Sequence, residues 1–165
     1  MTTEISRSFP CPADVDTVFT AISSAGWAEC KARELRDGSL VVQRELRPDG
    51  GVLLAVSRQL PDGVPGYLER FLPKDGRVVQ TDDWGPARPD GTRQGTWRAD
   101  IPGAPAQVGG AMRFEPSATG STYVIDGTVR VSVPLVGGKA ERFLAELIGK
   151  LMDKEAEVLR GMVSR

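Results

Sequence analysis

Proton transfer in this chain would fall to tyrosines and carboxylates, because its 165 residues include no histidine. That absence removes the commonest general base and the commonest metal ligand, and any Ser-His or Cys-His mechanism carried within the chain. The best remaining candidates are Tyr67, Tyr123 and Asp82, with Arg44 or Arg58 as the partner of an oxyanion or carboxylate. Asp82 and Asp83 are neighbours in a segment that reads as a strand, so their side chains point to opposite faces. They make no acid–base dyad unless another strand contributes, and solvent is their expected environment.

Residues 133–140, VPLVGGKA, imitate a phosphate-binding loop. The imitation fails twice: Gly138-Lys139 is followed by Ala140 instead of Ser or Thr, and Val133 stands where the first glycine is needed. Pro134, Gly137 and Gly138 read instead as a corner that turns a strand onto a helix. GxGxxG, GxSxG, SxxK and HExxH are all absent from the sequence. Cys11 and Cys30 stand 19 positions apart with no CxxC, so free thiols are expected. No cofactor, metal or catalytic residue is assigned.

The 21 basic and 22 acidic residues nearly cancel, which argues against a nucleic-acid partner and against a basic membrane-surface protein. The opening MTTEISRSFP lacks the apolar core of a signal peptide, and no apolar run reaches the ~18 residues of a membrane span. A cytoplasmic protein is expected. Its oligomeric state is left open.

The elements that would position the candidates follow from periodicity. Residues 3–9 alternate as a strand. Pro12, Asp14 and Asp16 suit a helix start, and Val15, Val18, Phe19 and Ile22 make one apolar stripe that Gly26 would end. WAECKARE adds at most one short turn. Six further strand-like segments follow, over SLVVQREL, VLLAVSRQL, RVVQTDDW, TRQGTWRADI, VGGAMRFEP and TYVIDGTVRVSV. A short helix beginning at Pro65 interrupts them. A long amphipathic helix fills the last 27 residues, from Lys139, with Asp153-Lys154-Glu155 breaking its apolar stripe. Strands grouped between helices imply an α+β layer arrangement, not alternating βαβ units. The expected fold is one domain over residues 1–165: a curved antiparallel sheet of about six to seven strands wrapped around the C-terminal helix, with a short helical segment after the first strand.

Three phrases, SFPCPADVDTVFTAIS, DDWGPARPDGTRQGTWRADIPGAP and VRVSVPLVGGKAERFLAELI, together with this element order, resemble the START-like superfamily. That superfamily is also called SRPBCC or birch-pollen-allergen-like, and the resemblance is to an uncharacterised bacterial branch catalogued as a domain of unknown function. It implies a helix-grip fold with an apolar cavity between sheet and helix, and an apolar small-molecule or lipid ligand. It transfers no catalytic residue.

By strand alternation Trp97, Met112, Phe114, Tyr123 and Ile125 point inward, with Trp84 beside them. Leu144, Leu147, Leu151 and Met152 face them from the helix. Inward Gly95, Gly110 and Gly127 either enlarge a pocket or mark bends. Val64 to Leu72 reads equally as a lid, touching the cavity through Tyr67, Leu68 and Phe71, or as a connector. The favoured function is binding of a hydrophobic small molecule. The alternatives are a cyclase, aromatase or hydratase acting in the same cavity, and a protein-interaction module for which Asp153-Lys154-Glu155 is the one hint.

Overall fold

The computed structural model describes residues 2–164. Seven strands form one antiparallel sheet: β1 (Thr3–Cys11), β2 (Leu40–Leu46), β3 (Val52–Gln59), β4 (Arg77–Trp84), β5 (Arg93–Asp100), β6 (Ala106–Ser117) and β7 (Gly120–Val131). Their order across the sheet is β1-β7-β6-β5-β4-β3-β2. Four helices accompany them: α1 (Val15–Ile22), α2 (Ala25–Leu35), α3 (Gly66–Glu69) and α4 (Gly137–Val163). Buried and open positions alternate along β7 and β1, so one sheet face carries the core.

The helix α1 begins where Asp14 accepts a hydrogen bond from the Thr17 amide at 2.8 Å, capping the first turn. Its Val15, Val18, Phe19 and Ile22 are all buried. The helix stops at Ser23, earlier than the expected Gly26. The Ser23 and Ser24 hydroxyls bond back to the Phe19 and Ala21 carbonyls at 2.7 Å each, which occupies carbonyls left free at the helix end. Gly26 lies inside α2, and the expected single turn is an 11-residue helix. Trp27, Ala28 and Lys31 recur at three- and four-residue spacing and bury one face of it.

The helix α4 begins at Gly137, two residues before the expected Lys139, and ends at Val163; the terminal Arg165 lies outside the described residues. A Cβ on Gly137 would sit 2.7 Å from the Val131 carbonyl oxygen, so the glycine permits a tight departure from β7. Glu141, one turn on, accepts from the Val131 amide at 3.1 Å and from the Thr3 hydroxyl at 3.3 Å. Farther along, Arg7 of β1 lies over Gly149 and pairs with Asp153 at 3.0 Å. These ties lay α4 across β1 and β7 and leave its apolar stripe facing the curved interior. Among the described residues no helix is long and apolar enough to cross a membrane.

Candidate functional site

One row of paired residues crosses the inner face of all seven strands: Arg44, Leu54, Asp82, Trp97, Gly110, Gly127 and Ile5. The Trp97 indole spans the row and donates from Nε1 to the Asp126 carbonyl at 3.1 Å, two strands away. Space for that ring comes from the glycines. A Cβ on Gly127 would strike Trp97 Cζ2, and one on Gly110 would strike the Asp126 carbonyl of β7. Gly95 is equally confined, 2.7 Å from the Asp83 oxygen and 3.1 Å from Met112 Cε by the same measure. These glycines therefore mark close approaches and do not enlarge a pocket.

Beside this row, Leu144, Leu147, Leu151 and Met152 of α4 face Trp97, Met112, Tyr123 and Ile125 across a cavity of about 80 Å³. Val78, Ala99, Ile101 and Ile148 complete its apolar wall, while Arg58, Gln80 and Glu155 give it a polar side. Two smaller voids adjoin it. One of about 30 Å³ is wholly apolar and lies under the segment around α3, against Val64, Leu68, Phe71 and Leu72. The other, of about 10 Å³, leads toward α1 and α2 and touches Asp82, Trp27 and Leu159. Outside, an open groove of about 740 Å³ runs between the end of α2, the end of β3 and α4. Groove and central cavity share Arg58, Gln59, Leu60, Pro61 and Leu151. The closed interior is smaller than the ~300–1,000 Å³ usual for a small-molecule pocket.

Four residues expected on the cavity wall lie away from the central cavity. Trp84 and Phe114 are fully buried and stack on each other, centroids 5.0 Å apart. Phe19 of α1 closes edge-on against Trp84 at 5.7 Å, so α1 fills the space at that end of the sheet. Tyr67 is half-buried beneath the Lys139 ammonium at 4.6 Å and reaches none of these voids. Phe71 lines the apolar void, not the central cavity.

The polar side is a cluster of buried charges. Glu155 of α4 accepts at Oε1 from Arg58 Nη1 and, at 3.5 Å, from Lys31 Nζ. A second Arg58 nitrogen pairs with Asp37 at 3.5 Å. Lys31 is 2% exposed, and its ammonium also lies 5.1 Å from the Trp27 ring centre. Asp82 is 6% exposed and accepts from Gln80 Nε2 at 3.0 Å. Asp82 and Asp83 do point to opposite faces, but the expected solvent reaches only one of them: Asp83 lies outside, partly exposed and paired with Arg47 at 2.6 Å, whereas Asp82 is interior. Within the charged interruption Glu155 likewise belongs to the interior, whereas Asp153, paired with Arg7, and Lys154 stay exposed. Of the candidates for proton transfer, Asp82, Tyr123 and Arg58 converge here. Arg44 instead donates to the Ser23 carbonyl at 2.8 Å.

Burial raises the Asp82 carboxyl from 3.8 to about 6, against the pull of the Gln80 hydrogen bond and the Lys31 charge. Burial and then the charges of Asp82 and Glu155 hold the Tyr123 hydroxyl well above its ordinary range, so it acts as a donor. Burial alone would raise Glu155 too, but Lys31 and Arg58 outweigh it and its pKa falls.

Asp82 therefore favours the folded state fully below about pH 4, and that contribution is lost as pH rises through about 6. Asp82→Asn keeps the acceptor for Gln80 and removes the titration. Urea unfolding from pH 4 to pH 7 should show the variant gaining up to about 3 kcal/mol on the parent toward neutrality. A constant difference across that range would refute the assignment.

Lys31 and Glu155 went unrecognised in the sequence, although both carried a signal. Lys31 follows buried Trp27 by four residues, and Glu155 stands four from both Leu151 and Leu159. Each occupies an apolar stripe, where a charge must find a partner.

The family described as protein of unknown function (DUF2505) matches residues 5–163. An uncharacterized protein of Mycobacterium tuberculosis is 26% identical over 111 residues, 65% of this chain; the match spans 63% of that relative's length. Among solved structures, a START superfamily protein from Mycobacterium smegmatis superimposes with a TM-score of 0.51 at 17% identity, covering 98% of this chain and 97% of that one. Ara h 8.0201 gives 0.58 at 13% identity, covering 99% and 98%. The di-domain ARO/CYC protein StfQ of the steffimycin biosynthetic pathway gives 0.64 at 12%, covering 99% of this chain and 52% of that one. These likenesses establish the START-like, helix-grip fold.

Proposed function

The chain belongs to the family described as protein of unknown function (DUF2505), and we propose that it binds a hydrophobic small molecule or lipid between the sheet and α4. The observation that carries this reading is that the central cavity and the open groove lie against the same residues, Arg58, Gln59, Leu60, Pro61 and Leu151, which form a thin wall between them. A ligand entering there meets Leu147, Leu151 and Met152 on one side and Trp97, Met112 and Ile125 on the other. The voids are too small for a lipid at rest, so binding requires the α3 segment or α4 to shift outward.

The test has two parts. Native mass spectrometry of protein purified without detergent should reveal an apolar adduct, and N-phenyl-1-naphthylamine should bind with enhanced fluorescence. Leu147→Trp then plugs the cavity from a half-buried helix position, where Trp97 itself holds strands together and is unsuitable to mutate. Its probe affinity should fall about tenfold, the equivalent of about 1.4 kcal/mol, with little change in melting temperature. A parent protein that carries no adduct and ignores the probe would exclude the reading.

A second reading is favoured by one observation: Asp82, with its carboxyl raised to about 6, shares the cluster with Tyr123. Such a carboxyl suits proton transfer to a bound apolar substrate, as in a cyclase, aromatase or hydratase. The ARO/CYC neighbour lends this reading fold-level analogy alone.

A further inference from the structure

We infer that the ligand is an uncharged amphipath, with a hydroxyl or carbonyl oxygen seated against Tyr123 and Gln80 and an apolar body extending toward α3. The inference rests on the cavity reading above and narrows it to a chemical class.

Direction comes from the order of the voids. Gln80, Tyr123 and Glu155 line both the central cavity and the small void beside Asp82. The opposite void, reached through Leu60, Ile101, Leu144 and Leu147, contains no polar side chain. One end can hydrogen-bond a ligand and the other can only exclude water from it.

Spare hydrogen-bonding capacity sits at the polar end. The Tyr123 side chain is more than nine-tenths buried, and its hydroxyl meets the Met112 sulfur at 3.9 Å, a weak acceptor. A ligand oxygen would replace that contact with a full hydrogen bond. Gln80 gives its amide nitrogen to Asp82, which leaves its carbonyl as the acceptor for a ligand hydroxyl. Tyr123 stays protonated, so it presents a donor throughout the neutral range.

The charge balance selects against ionised heads. The charged groups facing this end are Lys31 from α2, Asp37 from the following loop, Arg58 from β3, Asp82 from β4 and Glu155 from α4. Two cations stand against three carboxylates, and Glu155 already engages both cations. A carboxylate or phosphate finds no surplus positive charge and would have to displace Glu155, stranding it in the interior. An ammonium finds Asp37 and Glu155 committed to Lys31 and Arg58 and Asp82 already bonded by Gln80, and it must lose its water to reach any of them.

The experiment is displacement of N-phenyl-1-naphthylamine at pH 7.5 by decane, 1-decanol, decanoate and decylamine, in the parent and in Tyr123→Phe. 1-Decanol should compete at about tenfold lower concentration than either charged chain. Any apolar pocket disfavours charge to some degree, so the variant decides. Tyr123→Phe keeps the ring and its packing, and should weaken 1-decanol about fivefold, the effect of one neutral hydrogen bond, while decane competes as in the parent. Equal or tighter binding of decanoate or decylamine overturns the inference and leaves the cavity reading standing, as does a variant that binds 1-decanol unchanged. If the probe itself does not bind the parent, both fall together.

Discussion

Replacing Gly110 with alanine is expected to destabilise the fold by on the order of 4 kcal/mol or more, an effect reserved for a few mechanisms. A Cβ at this position falls inside the contact distance of the Asp126 carbonyl oxygen and Gly127 Cα, and 2.8 Å from the Asp126 carbonyl carbon. All three are backbone atoms of β7, so no side chain can rotate away. Relief requires β6 and β7 to separate at the Gly110↔Gly127 pair. The same carbonyl accepts the Trp97 indole, so separation would also unseat the largest wall of the cavity. Gly66→Ala is the control, because a Cβ there meets nothing within 4 Å. It should change stability by less than about 0.5 kcal/mol. Urea unfolding of the two variants checks the claim; a Gly110→Ala loss below about 1 kcal/mol would mean that the strands yield easily.

The element order of this fold was readable because each element carries a strong period. Tyr123, Ile125, Gly127, Val129 and Val131 share one parity along β7, α1 holds a clean apolar stripe, and α4 holds a long one broken by a few charges. The polar interior was not readable in the same way. Alternation assigns a side chain to a face but does not say how deep that face lies. Arg58 continues the inward parity of Val52, Leu54 and Val56, and Asp82 shares the parity of Trp84. The charge of Asp82 argued for solvent, and the enclosing helices α2 and α4 overruled it by closing over this end and supplying Lys31 and Glu155. The misplacement of Trp84 and Phe114 has the opposite origin. Both do point inward, but α1 presses Phe19 into their end of the sheet and turns a prospective pocket wall into a packed stack. Which part of a curved interior is filled and which is left hollow depends on where the helices cross it, a distance that no local period encodes.

Glu155→Ala is expected to cost about 3–5 kcal/mol, the toll for leaving buried charges without their partner. Among the described residues Lys31 would keep the Trp27 ring at 5.1 Å and Arg58 would keep Asp37 at 3.5 Å, with the Asp82 charge farther from both. The side chains of Lys31 and Arg58 are 2% and 7% exposed, so water cannot take the place of the lost carboxylate without entering the interior. Lys154→Ala, one residue away on the exposed face of α4, should change stability by less than about 0.5 kcal/mol. Replacing Lys31 and Glu155 together, as Lys31→Met with Glu155→Leu, should recover part of the loss, since the uncompensated ammonium goes with its partner. The comparison also separates two roles for the cluster. If it served stability alone, the apolar double variant would bind the naphthylamine probe as the parent does. The position of Glu155 on the cavity wall argues otherwise: it fastens α2, β3 and α4 at the point where groove and cavity meet. Loosening that junction should therefore alter how fast the probe enters and leaves more than how tightly it is held, a difference that stopped-flow fluorescence resolves. Unchanged rates in the double variant would confine the cluster to holding the fold together.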